Sequence, residues 1–183
     1  MKYTLESLQK EYNQGKPIKF LLFWGHTPSS DGTISKSCLS QWWKSDFQIN
    51  SLTYCCMEQY MMAEKAQLFN DNDIFQEIMN CKEPKKIKNL GRAVKNFNES
   101  IWVQKRSDII LAGNFAKFSQ NDDLKSFLLN TKNKVLVEAS PYDKIWGIGM
   151  SADNEHSENP FFWKGLNLLG FALMEVRDKI NSF

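Results

Sequence analysis

The sequence predicts an α+β fold, mostly helical, with helices arranged around a small β-sheet. Three observations carry that expectation. Apolar residues recur at steps of three and four along several stretches, the spacing of one helix face. Short apolar runs of strand length interrupt them at Ile18 to Trp24, Ser51 to Cys56 and Val135 to Glu138. The 183 residues, 42% of them hydrophobic, suit one domain, 1–183, with a single core. No repeat, low-complexity tract or linker divides the chain.

Residues 4–14 place Leu5, Leu8 and Tyr12 on one side of a short helix, which Gly15 and Pro17 end. Ile18 to Trp24 follows as a strand. Gly25 to Ser40 is rich in Gly, Pro, Ser and Thr and reads as a loop. Trp42 to Ile49 alternates, and Asn50-Ser51 is a turn candidate before the run to Cys56. The pattern becomes helical near Met57. Asp71 caps a helix reaching Cys81, and Glu83-Pro84 opens another, with Gly91 within or just beyond its end. Asn98 to Lys117 is the longest helical pattern, with Ile101, Trp102, Lys105, Ile109, Ala112 and Ala116 as its stripe. Asn121 caps Asp122 to Leu129, and Val135 to Glu138 is a short strand. Phe162, Leu166, Leu169, Leu173, Val176 and Ile180 predict a final amphipathic helix.

Composition narrows the function classes. The net charge is +2, from 23 basic and 21 acidic residues, so nothing demands a polyanionic partner. Lys82, Lys85, Lys86 and Lys88 form the nearest thing to a basic run and read as a solvated helix start. Cys38, Cys55, Cys56 and Cys81 make no C-x-x-C pair and read as buried free thiols in a reducing cytosol. With His26 and His156 the only histidines, no metal site is expected. Met1 to Lys10 does not resemble a signal peptide, and no window of the chain suits a membrane span. Glycine-loop nucleotide motifs, the G-x-S-x-G elbow and H-E-x-x-H are absent.

Two segments bear chemistry. As a helix, the stretch from Glu58 puts Glu58, Met62, Lys65 and Phe69 on one face, otherwise apolar. An acid and a base on a buried stripe are costly unless paired or used. They lie seven positions apart, two turns, so they do not pair with each other. The second segment, Val137 to Gly149, sets Glu138, Asp143 and Trp146 beside a glycine loop. Its local alternatives are a capping aspartate next to a core tryptophan, and a solvated strand-end glutamate. Trp102 is a core residue by default, with Lys105 and Arg106 placed to serve a phosphate beside a stacked base. Arg92 could serve phosphate likewise. Arg177 is expected to pair with Glu175 or Asp178, His26 lies in a loop without an orienting partner, and His156 is expected in solvent. Carboxylates among indoles suit cleavage of a glycosidic bond, where an anion stabilises an oxocarbenium-like sugar.

An ordered set of motifs resembles the NADAR family (NAD- and ADP-ribose-associated, YbiA-like) over about residues 18–180. The set runs Glu58-Gln-Tyr-Met-Met-Ala-Glu-Lys65, Leu90-Gly91-Arg92, Trp102, Ala116-Lys117-Phe118, Leu128-Leu129-x-Thr131, Leu136-Val137-Glu138, Asp143-x-x-Trp146-Gly147, Asn167-Leu-Leu-Gly170 and Leu173-Met-Glu-Val-Arg177. The resemblance implies a mostly helical α+β fold and N-glycosidase activity without a cofactor. It implies as substrate either phosphoribosyl intermediates of riboflavin synthesis or ADP-ribosylated guanine in nucleic acid. Carried over by position, Glu58, Asp143, Trp102 and Trp146 are the catalytic set, and Lys65, Arg92 and Glu138 the substrate-binding shell. The chain departs from the family at Gln59, where histidine is common, and at Met61-Met62, in place of Phe-Gln. Those departures bear on substrate choice. On this reading Glu58 and Asp143 converge on one sugar carbon. The competing expectation is a non-catalytic module that binds ADP-ribose or NAD.

Overall fold

The computed structural model describes residues 1–182; Phe183, the last residue of the expected domain, lies outside them. The chain forms two compact units, one from residues 1–40 and the chain from 123 onward, the other from residues 41–122. The fold class is α+β, with seven α-helices among the described residues. Instead of one small sheet there are two separate pairs of strands.

The first unit begins with α1 (Leu5–Asn13), capped by Thr4 in a reciprocal box with Ser7. β1 (Phe20–Phe23) then runs parallel to β4 (Val135–Glu138), with Phe23 opposite Glu138. Parallel strands need a long crossover, and here the whole second unit lies between them in the chain. α7 (Leu168–Asn181) packs on β4 and buries Leu169, Phe171, Leu173 and Val176. Two residues explain how closely it can lie. Asn167, at φ +53°, donates its amide to the Leu136 carbonyl at 2.9 Å and accepts the Glu138 N–H at 3.0 Å. A Cβ on Gly170 would come within 2.0 Å of the Leu136 carbonyl oxygen, so only glycine admits this contact. The sequence expectation for α7 is too long at its start. Phe162 and Leu166 precede the helix and are exposed, because the preceding chain makes successive tight turns.

The second unit opens with the antiparallel pair β2 (Phe47–Ile49) and β3 (Leu52–Tyr54). Asn50 and Ser51 both have positive φ, the two-residue turn whose twist suits a hairpin. Only the last three residues of the alternating run from Trp42 join a strand. α2 (Met57–Leu68) is buried on most of its surface and packs against α3 (Asn72–Asn80), α4 (Pro84–Arg92) and α5 (Glu99–Ser119). Asp71 caps α3, Pro84 begins α4 and Asn98 caps α5, as local chemistry predicts. α5 turns a different face inward from the one its apolar spacing suggests. Trp102, Ile110, Gly113, Asn114 and Lys117 are buried, while Ile101, Lys105 and Ala112 are exposed. The reason lies at Gly113, where a Cβ would sit 2.4 Å from the Tyr60 ring; the missing side chain sets the contact line. Asn121, expected as the cap of α6 (Asp122–Asn130), donates its side-chain amide to the Lys117 carbonyl at the end of α5.

Candidate active site residues

In the second unit, α2 carries Glu58 in its first turn, and Glu58 is 3% exposed. Its Oε2 accepts a hydrogen bond from the Trp42 indole Nε1 at 3.1 Å. Its own N–H donates to the Gln41 carbonyl at 2.9 Å, so the 41–42 segment grips both ends of the residue. The Lys88 ammonium lies 5.9 Å from the Trp42 ring centre. A carboxyl group held by an indole in a dry setting keeps its orientation.

Two turns along α2, roughly 10 Å at 1.5 Å per residue, Lys65 donates to the Gly91 carbonyl at 2.7 Å. It thereby covers a carbonyl in the last turn of α4, a favourable place for a cation. Its ammonium is 4.1 Å from the Phe97 ring centre and 5.8 Å from that of Trp102. Burial lowers the Lys65 pKa, Glu99 opposes that, and nearby Arg92 lowers it further. Trp102 is buried and Arg92 exposed. Lys65, Arg92, Phe97 and Trp102 therefore form one aromatic and cationic group, as an anionic ligand would require.

Gln59 has a different employment from that suggested by its place beside the motif glutamate. Its Oε1 accepts the Cys55 N–H at 2.7 Å, and its amide donates to the carbonyls of Ile78, Met79 and Cys81 at 3.0, 3.2 and 2.9 Å. It ties the start of α2 to the end of α3. Met62 packs against Gly91, where a Cβ would lie 1.9 Å from its sulfur, so this pair sets the approach of α2 to α4.

In the first unit, the segment after β4 is a tightly bonded turn. Asp143 Oδ1 accepts the N–H groups of Ile145 at 2.9 Å and Trp146 at 2.8 Å, the capping arrangement. Asp143 Oδ2 takes no hydrogen bond from the described residues. Ser140 Oγ accepts the N–H of Asp143 at 3.2 Å, and the Glu138 carbonyl accepts that of Ile148 at 2.9 Å. The carbonyls of Ile145, Trp146 and Gly147 then receive the N–H groups of Leu168, Leu169 and Asn167 at the start of α7. A Cβ on Gly147 would press to 2.7 Å from the Glu138 carbonyl, which accounts for the glycine after Trp146. Trp146 is buried, and Glu138 is half-buried at the end of β4.

The candidates thus fall into two groups: Glu58, Lys65, Arg92 and Trp102 in the second unit, and Glu138, Asp143 and Trp146 in the first. The sequence reading missed Trp42 as the partner of Glu58 and Phe97 as the partner of Lys65. Only their aromatic character could have signalled them, since Trp42 precedes the β2–β3 hairpin and Phe97 lies between α4 and α5. Lys117, quoted only as part of a motif, is wholly buried, 5.0 Å from the Phe118 ring centre. Arg177 is held differently from the expected pairing with Glu175 or Asp178: it donates to Thr131 Oγ1 at 2.8 Å and the Lys134 carbonyl at 2.9 Å, while Asp178 accepts from Lys2 and Tyr3. His26 is exposed, and His156, its side chain 45% exposed, stacks on the exposed Phe162 with ring centres 4.2 Å apart. Cys38 and Cys56 are buried; Cys55 and Cys81 are half-buried. Among the described residues no group of three or more His, Cys, Asp and Glu side chains could hold a metal, and no helix is long and apolar enough to cross a membrane.

These features have a family behind them. The NADAR domain matches residues 22–181, and the chain belongs to that family. It is 45% identical to N-glycosidase R617 of Acanthamoeba polyphaga mimivirus over 166 residues, covering 88% of this chain and 96% of that protein. It is 34% identical to the chloroplastic riboflavin biosynthesis protein PYRR of Zea mays over 135 residues, 70% of this chain but 20% of that protein. The solved structure of the E. coli protein YbiA superposes with a TM-score of 0.73 over 91% of this chain and 88% of YbiA, at 24% identity, and so shares the fold.

Proposed function

We propose that this chain hydrolyses the N-glycosidic bond between a phosphorylated ribose and a base, in a phosphoribosyl intermediate of riboflavin synthesis. The chain is an N-glycosidase, a hydrolase of N-glycosyl compounds, by family and by its likeness to N-glycosidase R617. The observation that carries the proposal is Glu58: a carboxylate 3% exposed, aimed by the Trp42 indole. A fixed anion in a dry setting costs stability, and stabilising a cationic sugar is work that repays it. In the reaction the bond from the sugar carbon to the base nitrogen breaks, water oxygen bonds to that carbon, and a water proton ends on the departing base. Glu58 and Asp143 are proposed to serve this reaction, one stabilising the cation and orienting water, the other assisting the proton. In the second unit Lys65 and Arg92 are proposed to supply positive charge for phosphate and Trp102 an apolar surface; in the first unit Trp146 is proposed as an apolar surface and Glu138 as a polar contact. The likeness to PYRR favours the riboflavin substrate. ADP-ribosylated guanine is the second substrate, and both share the ribosyl–base bond.

The test offers both substrates to purified wild-type protein, Glu58→Gln and Asp143→Asn, and identifies the freed base by mass spectrometry. Glutamine keeps an acceptor for Trp42 and asparagine keeps one for the capping turn, so charge alone is removed. Each variant should lose about 10²- to 10⁴-fold in turnover with an unchanged melting temperature. Near-normal turnover in both would overturn the assignment. Tight ADP-ribose binding by the wild type without product would favour the non-catalytic module.

A further inference from the structure

Two exposed rings in the first unit have no structural employment that explains them. Tyr142 is 86% exposed and Trp24 54% exposed, and their ring centres lie 6.2 Å apart at 56°. Singly exposed aromatics are ordinary, but a pair displayed on rigid backbone is informative. The backbone here is rigid on both sides. Trp24 directly follows β1, whose last residue, Phe23, accepts the Ala139 N–H at 2.8 Å. Tyr142 lies in the turn held by Ser140 Oγ, which accepts its N–H at 3.4 Å and that of Asp143 at 3.2 Å. Both rings thus emerge beyond the carboxyl ends of the parallel pair, beside Glu138 and Asp143. A turn this heavily bonded could have carried any polar residue at position 142; a phenol ring in water gains nothing for the fold.

We propose that Trp24 and Tyr142 form a stacking platform for the planar base of the substrate. The platform rests on the ribosyl–base reading above and extends it, by assigning the base to these two rings. A flat heteroaromatic base can stack on one of two rings set at 56° and meet the other edge-on, without demanding a particular hydrogen-bond pattern. Such a platform would grip pyrimidine and purine alike, and would place the leaving group next to the Asp143 turn.

The experiment measures equilibrium affinity of the full chain for guanosine 5′-monophosphate, uridine 5′-monophosphate and ribose 5-phosphate, by calorimetry. The proteins are wild type, Trp24→Ala, Tyr142→Ala and Tyr142→Phe, with base release from the phosphoribosyl substrate measured on the same samples. The wild type should prefer the nucleotides over ribose 5-phosphate. Each alanine variant should lose about 5- to 100-fold of that preference, with ribose 5-phosphate affinity unchanged and Tyr142→Phe like wild type. KM should rise in the alanine variants while kcat changes little. No nucleotide preference in the wild type, or a preference that survives both alanine variants, overturns the platform. Base release with no effect of either variant removes the platform and spares the glycosidase reading. Loss of preference in a protein that releases no base does the reverse. Tyr142 is so exposed that its truncation should leave the fold intact, and a melting curve checks this.

Discussion

Single residues in this chain act less through their own chemistry than through the backbone groups they occupy. Gln59 is the clearest case. From sequence it is the residue where the family has histidine, hence a candidate for substrate choice. In the structure its three backbone acceptors and one backbone donor leave nothing for a ligand. Gln59→Leu should lower unfolding free energy by about 2 to 4 kcal/mol, since several buried polar groups lose their partner; urea titration at constant m-value measures it. A loss below 0.5 kcal/mol, within the range of ordinary surface changes, would contradict this. Cys55 and Cys56 show how far neighbours can diverge. Their sulfurs are 4.0 Å apart, and the Cys56 thiol brings the Cys55 pKa down to about 7, against the opposing effect of burial. Cys56 is raised, chiefly by the same contact and by burial. Thiolate is the reactive form, so below pH 7 both sulfurs are protonated and slow, and above it Cys55 alone becomes nucleophilic. Iodoacetamide labelling followed by peptide mass spectrometry should show Cys55 at half-maximal rate near pH 7, with Cys56 unlabelled while the protein stays folded. Half-maximal labelling near the ordinary thiol value of about 8.5 would count against the contact.

At the scale of elements, helix starts and turns were legible because their signals are local. Asp71, Pro84 and Asn98 each act on backbone groups within three residues, and Asn50-Ser51 needs only its own φ angles. Helix faces were less legible. The inward face of α5 follows Gly113 and Lys117, because closeness to Tyr60 matters more there than apolar area. α7 and β4 meet through a similar device. Gly170→Ala would force a methyl against the Leu136 carbonyl, a backbone atom that cannot rotate away. The expected cost is about 3 kcal/mol or more, read as a lower melting temperature and weaker hydrogen-exchange protection of β4. A substitution tolerated within 1 kcal/mol would show that α7 can shift. The motif Asn167-Leu-Leu-Gly170, quoted above as a family signature, is in physical terms a clip between a helix and a strand.

The whole molecule is nearly neutral, at +2 over 183 residues. Non-specific nucleic-acid binding depends on many phosphate contacts, and its strength falls steeply with salt. An unmodified single-stranded oligonucleotide should therefore bind this protein more weakly than about 10⁻⁴ M at physiological salt, as fluorescence anisotropy would show. Micromolar binding would reveal a basic surface that the net charge conceals, and would turn attention to the guanine substrate. The acids and bases of the candidate site were legible as types and positions, since an ionic face on an apolar helix stands out in any sequence. Their partners were not. Trp42 is sixteen residues from Glu58 and Phe97 thirty-two from Lys65, and no local period links such separations. The chain's order of residues determined its class, its caps and turns, and the family to which it belongs, because those follow from neighbours within a few positions and from motifs in succession. Which indole aims Glu58, which carbonyl holds Lys65, and which rings stand open beside Asp143 were decided by packing, which brings together groups that the covalent chain keeps apart.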